Sequence, residues 1–178
     1  MKEDIVRILI PDSRIKARVS ELGREMADIY DSKSGLTIVA ILNGALIFLA
    51  DLMREIPLKM RISLMTVSSY PDASVESRGP KLIAGLGDEV RDRHVLLVDD
   101  ILDTGNTLRF VQREILDRGP ASLRTCVLLR KTAKAPSDVK ADFVGFDIED
   151  EFVVGYGLDY NNLYRNYPHI GVLRPEVY

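Results

Sequence analysis

An α/β fold with a mostly parallel central sheet flanked by helices is what this sequence predicts, on three observations. VLLV at 95–98 is apolar on both faces, as a strand covered by helices on both sides should be, and 37–42 and 123–129 read as further strands. Apolar residues at helical spacing separate them, and such alternation of strand and helix implies parallel strands joined by right-handed crossovers. At 178 residues, 46% hydrophobic and 29% charged, the chain suits a single domain, 1–178, with a substantial core.

The elements follow in order. Ile15, Val19, Leu22, Met26 and Ile29 recur at helical spacing behind Asp12 and Ser13, either of which could cap the helix. Residues 37–42 then form a buried strand. Asn43-Gly44 is a dipeptide that often makes a hairpin turn. Here Leu46, Leu49, Ala50 and Met53 follow at helical spacing rather than alternating, so we read a strand-to-helix loop. Residues 59–69 make another strand candidate. The segment YPDASVESRG (70–79) is polar and carries Pro and Gly, which predicts a long loop of the kind that often forms a lid. After the strand at 95–98, Leu108, Val111, Ile115 and Leu116 give a helical apolar stripe that Asp117-Arg118-Gly119-Pro120 should stop. Residues 123–129 form the next strand. The last third changes character: FVG (143–145) and FVVGYG (152–157) are short β runs punctuated by glycine, with few helix signals. No repeat or low-complexity segment is present.

The richest stretch is VLLVDDILDTGNTL (95–108). Groups that bind ligands in parallel sheets sit just past the carboxyl end of a strand. Asp99 and Asp100 are expected there, where carboxylates can accept from sugar hydroxyls or hold Mg²⁺ directly or through water. Asp103, Thr104, Gly105, Asn106 and Thr107 supply successive backbone N–H groups and two hydroxyls just before a helix, an arrangement that attracts phosphate. A ligand-free turn with a helix cap would explain any one of these residues, but not three acids followed by TGNT.

Composition excludes several alternatives. No apolar segment approaches the roughly 18 to 20 residues of a membrane span, and the charged amino end lacks a signal-peptide pattern, so a cytoplasmic protein is expected. Cys126 lies in the apolar run CVLL and reads as a buried core thiol, with no second cysteine to pair with. The net charge is −3 with basic residues dispersed among acids, which argues against a nucleic-acid surface. Two histidines and one cysteine are too few to recommend Zn²⁺; Mg²⁺ is the metal to expect.

On these residues the chain resembles a known family. VLLVDDILDTGNTL is similar to the phosphoribosyl pyrophosphate motif of type I phosphoribosyltransferases, and DFVGFDIEDEFVVGYGLDYNNLYR (142–165) is similar to the purine-site half of the hypoxanthine-guanine phosphoribosyltransferases. The resemblance extends from Ile38 to Leu173, and its second segment is the more specific. It implies a small hood of N- and C-terminal segments over the sheet, and a homodimer or homotetramer. It also implies Mg²⁺-dependent transfer of a phosphoribosyl group from phosphoribosyl pyrophosphate to a 6-oxopurine. Asp99 and Asp100 would hold the ribose hydroxyls, directly or through hydrated Mg²⁺, and residues 103–107 would wrap the 5′-phosphate. Asp103 would take a proton from the purine's imidazole ring, a task that suits a partly desolvated carboxylate; a helix-capping aspartate is its other reading. Lys131 would donate to the purine's 6-oxo group, and only its spacing to the later motif selects it over the adjacent Arg130. Phe152 would stack on the base and Val153 would offer its backbone. Asp159 would hold a Mg²⁺ bridging the pyrophosphate, and Arg165 would grip the leaving pyrophosphate with its planar fork. Asn43 and Gly44 would form a further pyrophosphate-binding turn, and Ser69 and Tyr70 would open the lid, whose closure excludes water.

Two residues depart from the family pattern. Many relatives carry lysine where this chain has Asn43 and Asn106, so two positive charges near a polyanion are missing, which predicts altered affinity for the donor. Three other functions compete: a non-catalytic sensor of the same fold, a pyrimidine enzyme, and a receiver domain. Lys131, Phe152 and Asp159 together favour the purine enzyme over the first two. A receiver's acidic strand end lies near the start of its domain, whereas Asp99 and Asp100 fall past the middle of this chain.

Overall fold

The computed structural model describes residues 1–30, 35–68, 81–84 and 86–178. In chain order the elements are β1 (Ile5–Ile10), α1 (Asp12–Ile29), β2 (Leu36–Leu42), α2 (Leu46–Glu55), β3 (Met60–Ser68), β4 (Lys81–Ala84), β5 (His94–Leu102), α3 (Asn106–Leu116), β6 (Ser122–Lys131), β7 (Phe143–Ile148), β8 (Val153–Val154) and β9 (Ile170–Leu173). Ser69, Tyr70 and the rest of the expected lid lie outside the described residues.

Six strands form the main sheet in the order β4-β3-β2-β5-β6-β7. All neighbours are parallel except β4, which runs antiparallel to β3. The apolar runs occupy its centre because both faces are covered. On one face Ile38, Ala40, Leu96, Val98, Cys126 and Leu128 pack with Ile15, Val19, Leu22 and Met26 of α1 and Phe48 and Leu52 of α2. On the other, Val39, Val95, Leu97 and Val127 meet Leu108, Val111 and Ile115 of α3. Thr37 tolerates full burial in β2 because its hydroxyl donates to Glu89 O (2.9 Å) and accepts from Arg93 Nε (2.7 Å). A second, three-stranded antiparallel sheet, β1-β9-β8, joins the two ends of the chain as the expected hood. No helix among the described residues is long and apolar enough to cross a membrane.

Several local expectations are corrected. Neither Asp12 nor Ser13 caps α1 through its side chain. The helix begins at Asp12, whose N–H donates to His169 Nδ1 at 2.9 Å, so the cap comes from the far end of the chain. The buried face of α2 is Phe48, Leu49 and Leu52, whereas Leu46 and Met53 are exposed. Ile29 and Leu116, at the last positions of α1 and α3, also face outward. β5 runs on through Asp99 and Asp100 rather than ending before them. Its pairing with β2 stops at Val98, while its pairing with β6 continues to Leu102, so the acids leave one neighbour and keep the other. β6 likewise includes Lys131, and it reaches β7 without an intervening helix.

Candidate active site

β2 sends the chain to β3 on one side of the sheet and lies against β5 on the other, so the strand order reverses between β2 and β5. Parallel sheets open a crevice at such a point, beyond the strands' carboxyl ends. A cleft of about 750 Å³ lies there, walled by the loops that follow β2 and β5 and by the segment after β8. Asn43, Gly44, Asp99, Asp100, Asp103, Thr104, Gly105, Asn106, Thr107, Asp159 and Arg165 all line it. Residues from three separate stretches of sequence are therefore brought together.

The floor is acidic. Asp99 is buried, and its Oδ1 accepts the N–H of Asp100 at 3.0 Å. Burial pushes the Asp99 carboxyl well above the usual aspartate range, and the adjacent Asp100 charge adds to the shift. Burial also raises Asp100, while Arg165 opposes that rise. A cation or the hydroxyl groups of a sugar would stabilise the ionised form of such a pair.

Next to it the backbone is packed flush. A Cβ on Gly44 would fall 1.7 Å from Asp100 Oδ2, and a Cβ on Gly157 would fall 2.2 Å from Gly44 O. Only glycine fits at either place, so the Asn43-Gly44 turn lies sandwiched between Asp100 and the chain after β8. The loop 103–107 forms another part of the wall. Gly105, at φ +74°, turns the chain into α3, whose first residue is Asn106, so the opening turn, where helix N–H groups lack intrahelical partners, lines the cleft. Asn106 Oδ1 accepts from Arg109 Nη1 (3.2 Å), and Arg109 is paired with Asp138, so a cation stands one turn into the helix.

Asp103 links this wall to Lys131. The ammonium of Lys131, only 7% exposed, lies 3.1 Å from Asp103 Oδ2 and 3.0 Å from Asp150 Oδ1. Lys134 holds the other oxygen of Asp150 at 2.8 Å. Asp103 Oδ1, by contrast, is shielded from solvent and has no hydrogen-bond partner among the described residues. Such an acceptor is costly unless a ligand donor meets it.

At the mouth, Arg165 donates to Gly157 O (2.8 Å) and to Asn162 Oδ1 (3.1 Å) and pairs with Asp159 Oδ1 (2.8 Å). Asp159 Oδ2 accepts the N–H of Asn162 at 2.8 Å. The arm is shaped by a left-handed run, with Asn161 at φ +50° and Asn162 at +61°.

Lys131, Phe152 and Val153 do not line the cleft. Lys131 reaches it only through Asp103. Val153 is buried in β8, and Phe152 packs in the hood, stacked on Tyr178 with ring centres 4.3 Å apart and edge-on to Tyr160. Sequence reading missed Thr66, Val67, Ile101, Asn161 and Asn162 as lining residues and Asp150 as the partner of Lys131. The Asn161-Asn162 doublet was a usable signal, since Asn tolerates the left-handed conformation; the others carry none.

Comparison with known proteins agrees with this geometry. A family model described as phosphoribosyl transferase domain matches residues 13–161. The hypoxanthine phosphoribosyltransferase of Salmonella typhimurium is 46% identical over 168 residues, covering 93% of this chain and 94% of the relative. The hypoxanthine-guanine phosphoribosyltransferase of Bacillus subtilis is 43% identical over 178 residues, covering 100% and 98%. Among solved structures, a hypoxanthine phosphoribosyltransferase from Staphylococcus aureus superposes with a TM-score of 0.93 at 39% identity, covering 100% of this chain and 96% of that one. This chain belongs to the phosphoribosyl transferase domain family.

Proposed function

We propose that this protein serves purine salvage, catalysing Mg²⁺-dependent transfer of the phosphoribosyl group from phosphoribosyl pyrophosphate to hypoxanthine or guanine, with IMP or GMP and pyrophosphate as products. One observation carries the reading: a carboxylate oxygen on Asp103 that is shielded and has no partner among the described residues opens beside the loop 103–107, buried Asp99 and half-buried Asp100, in a cleft also lined by Arg165.

The residues divide the work. N–H groups and hydroxyls of 103–107 bind the 5′-phosphate, and Asp99 and Asp100 accept from the ribose hydroxyls. Positive charge builds on the ribose as the pyrophosphate departs, as in glycosyl transfer generally, and the two carboxylates stabilise it. Arg165 and the N–H groups of the Asn43-Gly44 turn hold the pyrophosphate. Asp103 Oδ1 accepts the imidazole N–H of the purine and takes its proton as the new bond forms, while Lys131 donates to the 6-oxo group. Phe152 and Val153 lie in the hood outside the cleft and enter the base site on the family resemblance alone, the Phe152 ring once it leaves Tyr178; Ser69 and Tyr70 are assigned to the lid on the same ground.

The donor set fits the metal. Asp99, Asp100 and Asp159 offer hard carboxylate oxygens, and each Asp159 oxygen keeps a lone pair beyond its present contact. No group of three or more His, Cys, Asp or Glu among the described residues forms a metal cage. Mg²⁺ commonly binds through one or two carboxylates and completes its shell with substrate oxygens and water, and Asp99, Asp100 and Asp159 could supply such carboxylates. When bound it would offset the charge of the leaving pyrophosphate. Family membership supports a homodimer or homotetramer in the cytoplasm.

Asp103→Asn tests the assignment. Turnover with hypoxanthine should fall by about a hundredfold or more, the usual scale for a general base, with phosphoribosyl pyrophosphate affinity retained. Unchanged turnover would remove Asp103 from the role.

A further inference from the structure

A hydroxyl outside the cleft ties two of its walls together. Tyr156, directly before Gly157, is buried and held at φ +50°. Its N–H donates to Tyr167 O at 2.7 Å, and its Oη donates to Asp51 Oδ2 at 2.6 Å. Asp51 belongs to α2, the helix that opens just after the Asn43-Gly44 turn. Burial, followed by the bond to the Asp51 carboxylate, pushes the Tyr156 hydroxyl pKa up, so it stays a donor.

The arm that follows is bound to itself: Gly157 N–H donates to Arg165 O (3.0 Å) and Gly157 O accepts from Arg165 Nη1 (2.8 Å). Gly157 and Arg165 therefore move together. Where Gly157 meets Gly44 neither residue has a side chain to hold the contact. Among the described residues, the side-chain hydrogen bond that joins this arm to α2 is the one from Tyr156 to Asp51.

We propose that Tyr156 is a positioning residue for the transfer reaction: through Asp51 it clamps the 157–165 arm onto the Asn43-Gly44 turn and so sets where Arg165 meets the pyrophosphate of the donor. The role rests on the proposed function and adds to it a residue pair that touches neither substrate. The left-handed backbone of Tyr156 fits this role, since such a conformation persists only where the surroundings over-determine it.

The test varies each substrate in turn for wild type, Tyr156→Phe, Asp51→Ala and Asp51→Asn, with melting temperatures alongside. Tyr156→Phe keeps the ring and loses only the hydroxyl, and Asp51→Ala removes the acceptor from a partly exposed helix position together with its pair to Arg54, so Arg54→Ala serves as its control if the first variant fails to fold. In either variant the KM for phosphoribosyl pyrophosphate should rise about tenfold, the scale of one hydrogen bond to a charged group, with the KM for hypoxanthine unchanged. Asp51→Asn keeps a carbonyl acceptor and should recover most of the loss. Variants that melt earlier but retain both KM values would overturn the proposal, as would equal rises for both substrates. Calorimetric titration with Mg²⁺ and pyrophosphate separates this role from the function itself. A wild type that forms no nucleotide counts against the function, whereas pyrophosphate affinity lower in Tyr156→Phe than in wild type still supports the clamp, and equal affinity overturns it.

Discussion

Gly44→Ala should disable donor binding while leaving the fold in place. The added methyl would sit 1.7 Å from Asp100 Oδ2 and 2.5 Å from its Cγ, far inside van der Waals contact. The turn cannot retreat, because Gly157 is already flush against Gly44 O on its other side. The remaining relaxation is for the Asp100 side chain to rotate out of place. Overpacking of this kind costs about 1–3 kcal/mol, and the group that moves is one proposed to hold ribose and metal. The cost should therefore appear in binding, as a Kd for phosphoribosyl pyrophosphate with Mg²⁺ raised about 5- to 100-fold, at about 1.4 kcal/mol per tenfold. The melting temperature of the free protein should fall by about 2–12 °C at most, since each kcal/mol is worth about 2–4 °C at this size. Calorimetric titration and a thermal melt on the same preparation read both quantities. A variant with unchanged donor affinity and a lowered melting temperature would refute the reasoning, because the strain would then be absorbed without moving Asp100.

Three further predictions concern charge and packing. The Asp99 carboxyl is raised in the folded protein, so its contribution to stability is complete below the ordinary aspartate pKa and is lost as pH rises through the raised value. Without Mg²⁺ and donor, the melting temperature of wild type should therefore decline over that interval and that of Asp99→Asn should decline less; parallel curves would contradict the burial of an ionisable group there. His169→Ala removes the acceptor that serves the first N–H of α1 and should cost about 1 kcal/mol, as a lost helix cap does, seen as a drop of about 2–4 °C in melting temperature. Asn43→Lys restores a positive charge beside the pyrophosphate and should tighten donor binding about fivefold at low salt, from about 1 kcal/mol for a charge pair in water, with the gain shrinking as salt rises; identical affinities at every salt concentration would count against it.

The sheet was legible because β2, β5 and β6 are covered on both faces, and such strands leave apolar runs that no amphipathic helix would show. The phase of α2 was not, because LIFLADLMRE is apolar on most of its circumference and spacing alone could not choose between Leu46 and Phe48. The cap of α1 was invisible for another reason: His169 lies 157 residues from Asp12, and no local pattern announces a partner at that distance. That Asp99, Asp100 and the loop 103–107 share one cleft could be read directly, since strand, acids, small residues and helix follow one another in the chain. What could not be read is how distant segments meet. The contact of Gly44 with Asp100, the fit of Gly157 against Gly44, and the Lys131 bridge from Asp103 to Asp150 are set by the approach of whole elements rather than by any local sequence.

The first measurement to make is pyrophosphate release from phosphoribosyl pyrophosphate and Mg²⁺, with hypoxanthine, guanine, xanthine, adenine and orotate supplied separately and each nucleotide identified. Turnover confined to 6-oxopurines is the predicted result. Binding of phosphoribosyl pyrophosphate without turnover on any base would instead mark a sensor, and turnover on orotate or adenine would contradict the roles given to Lys131 and Asp103.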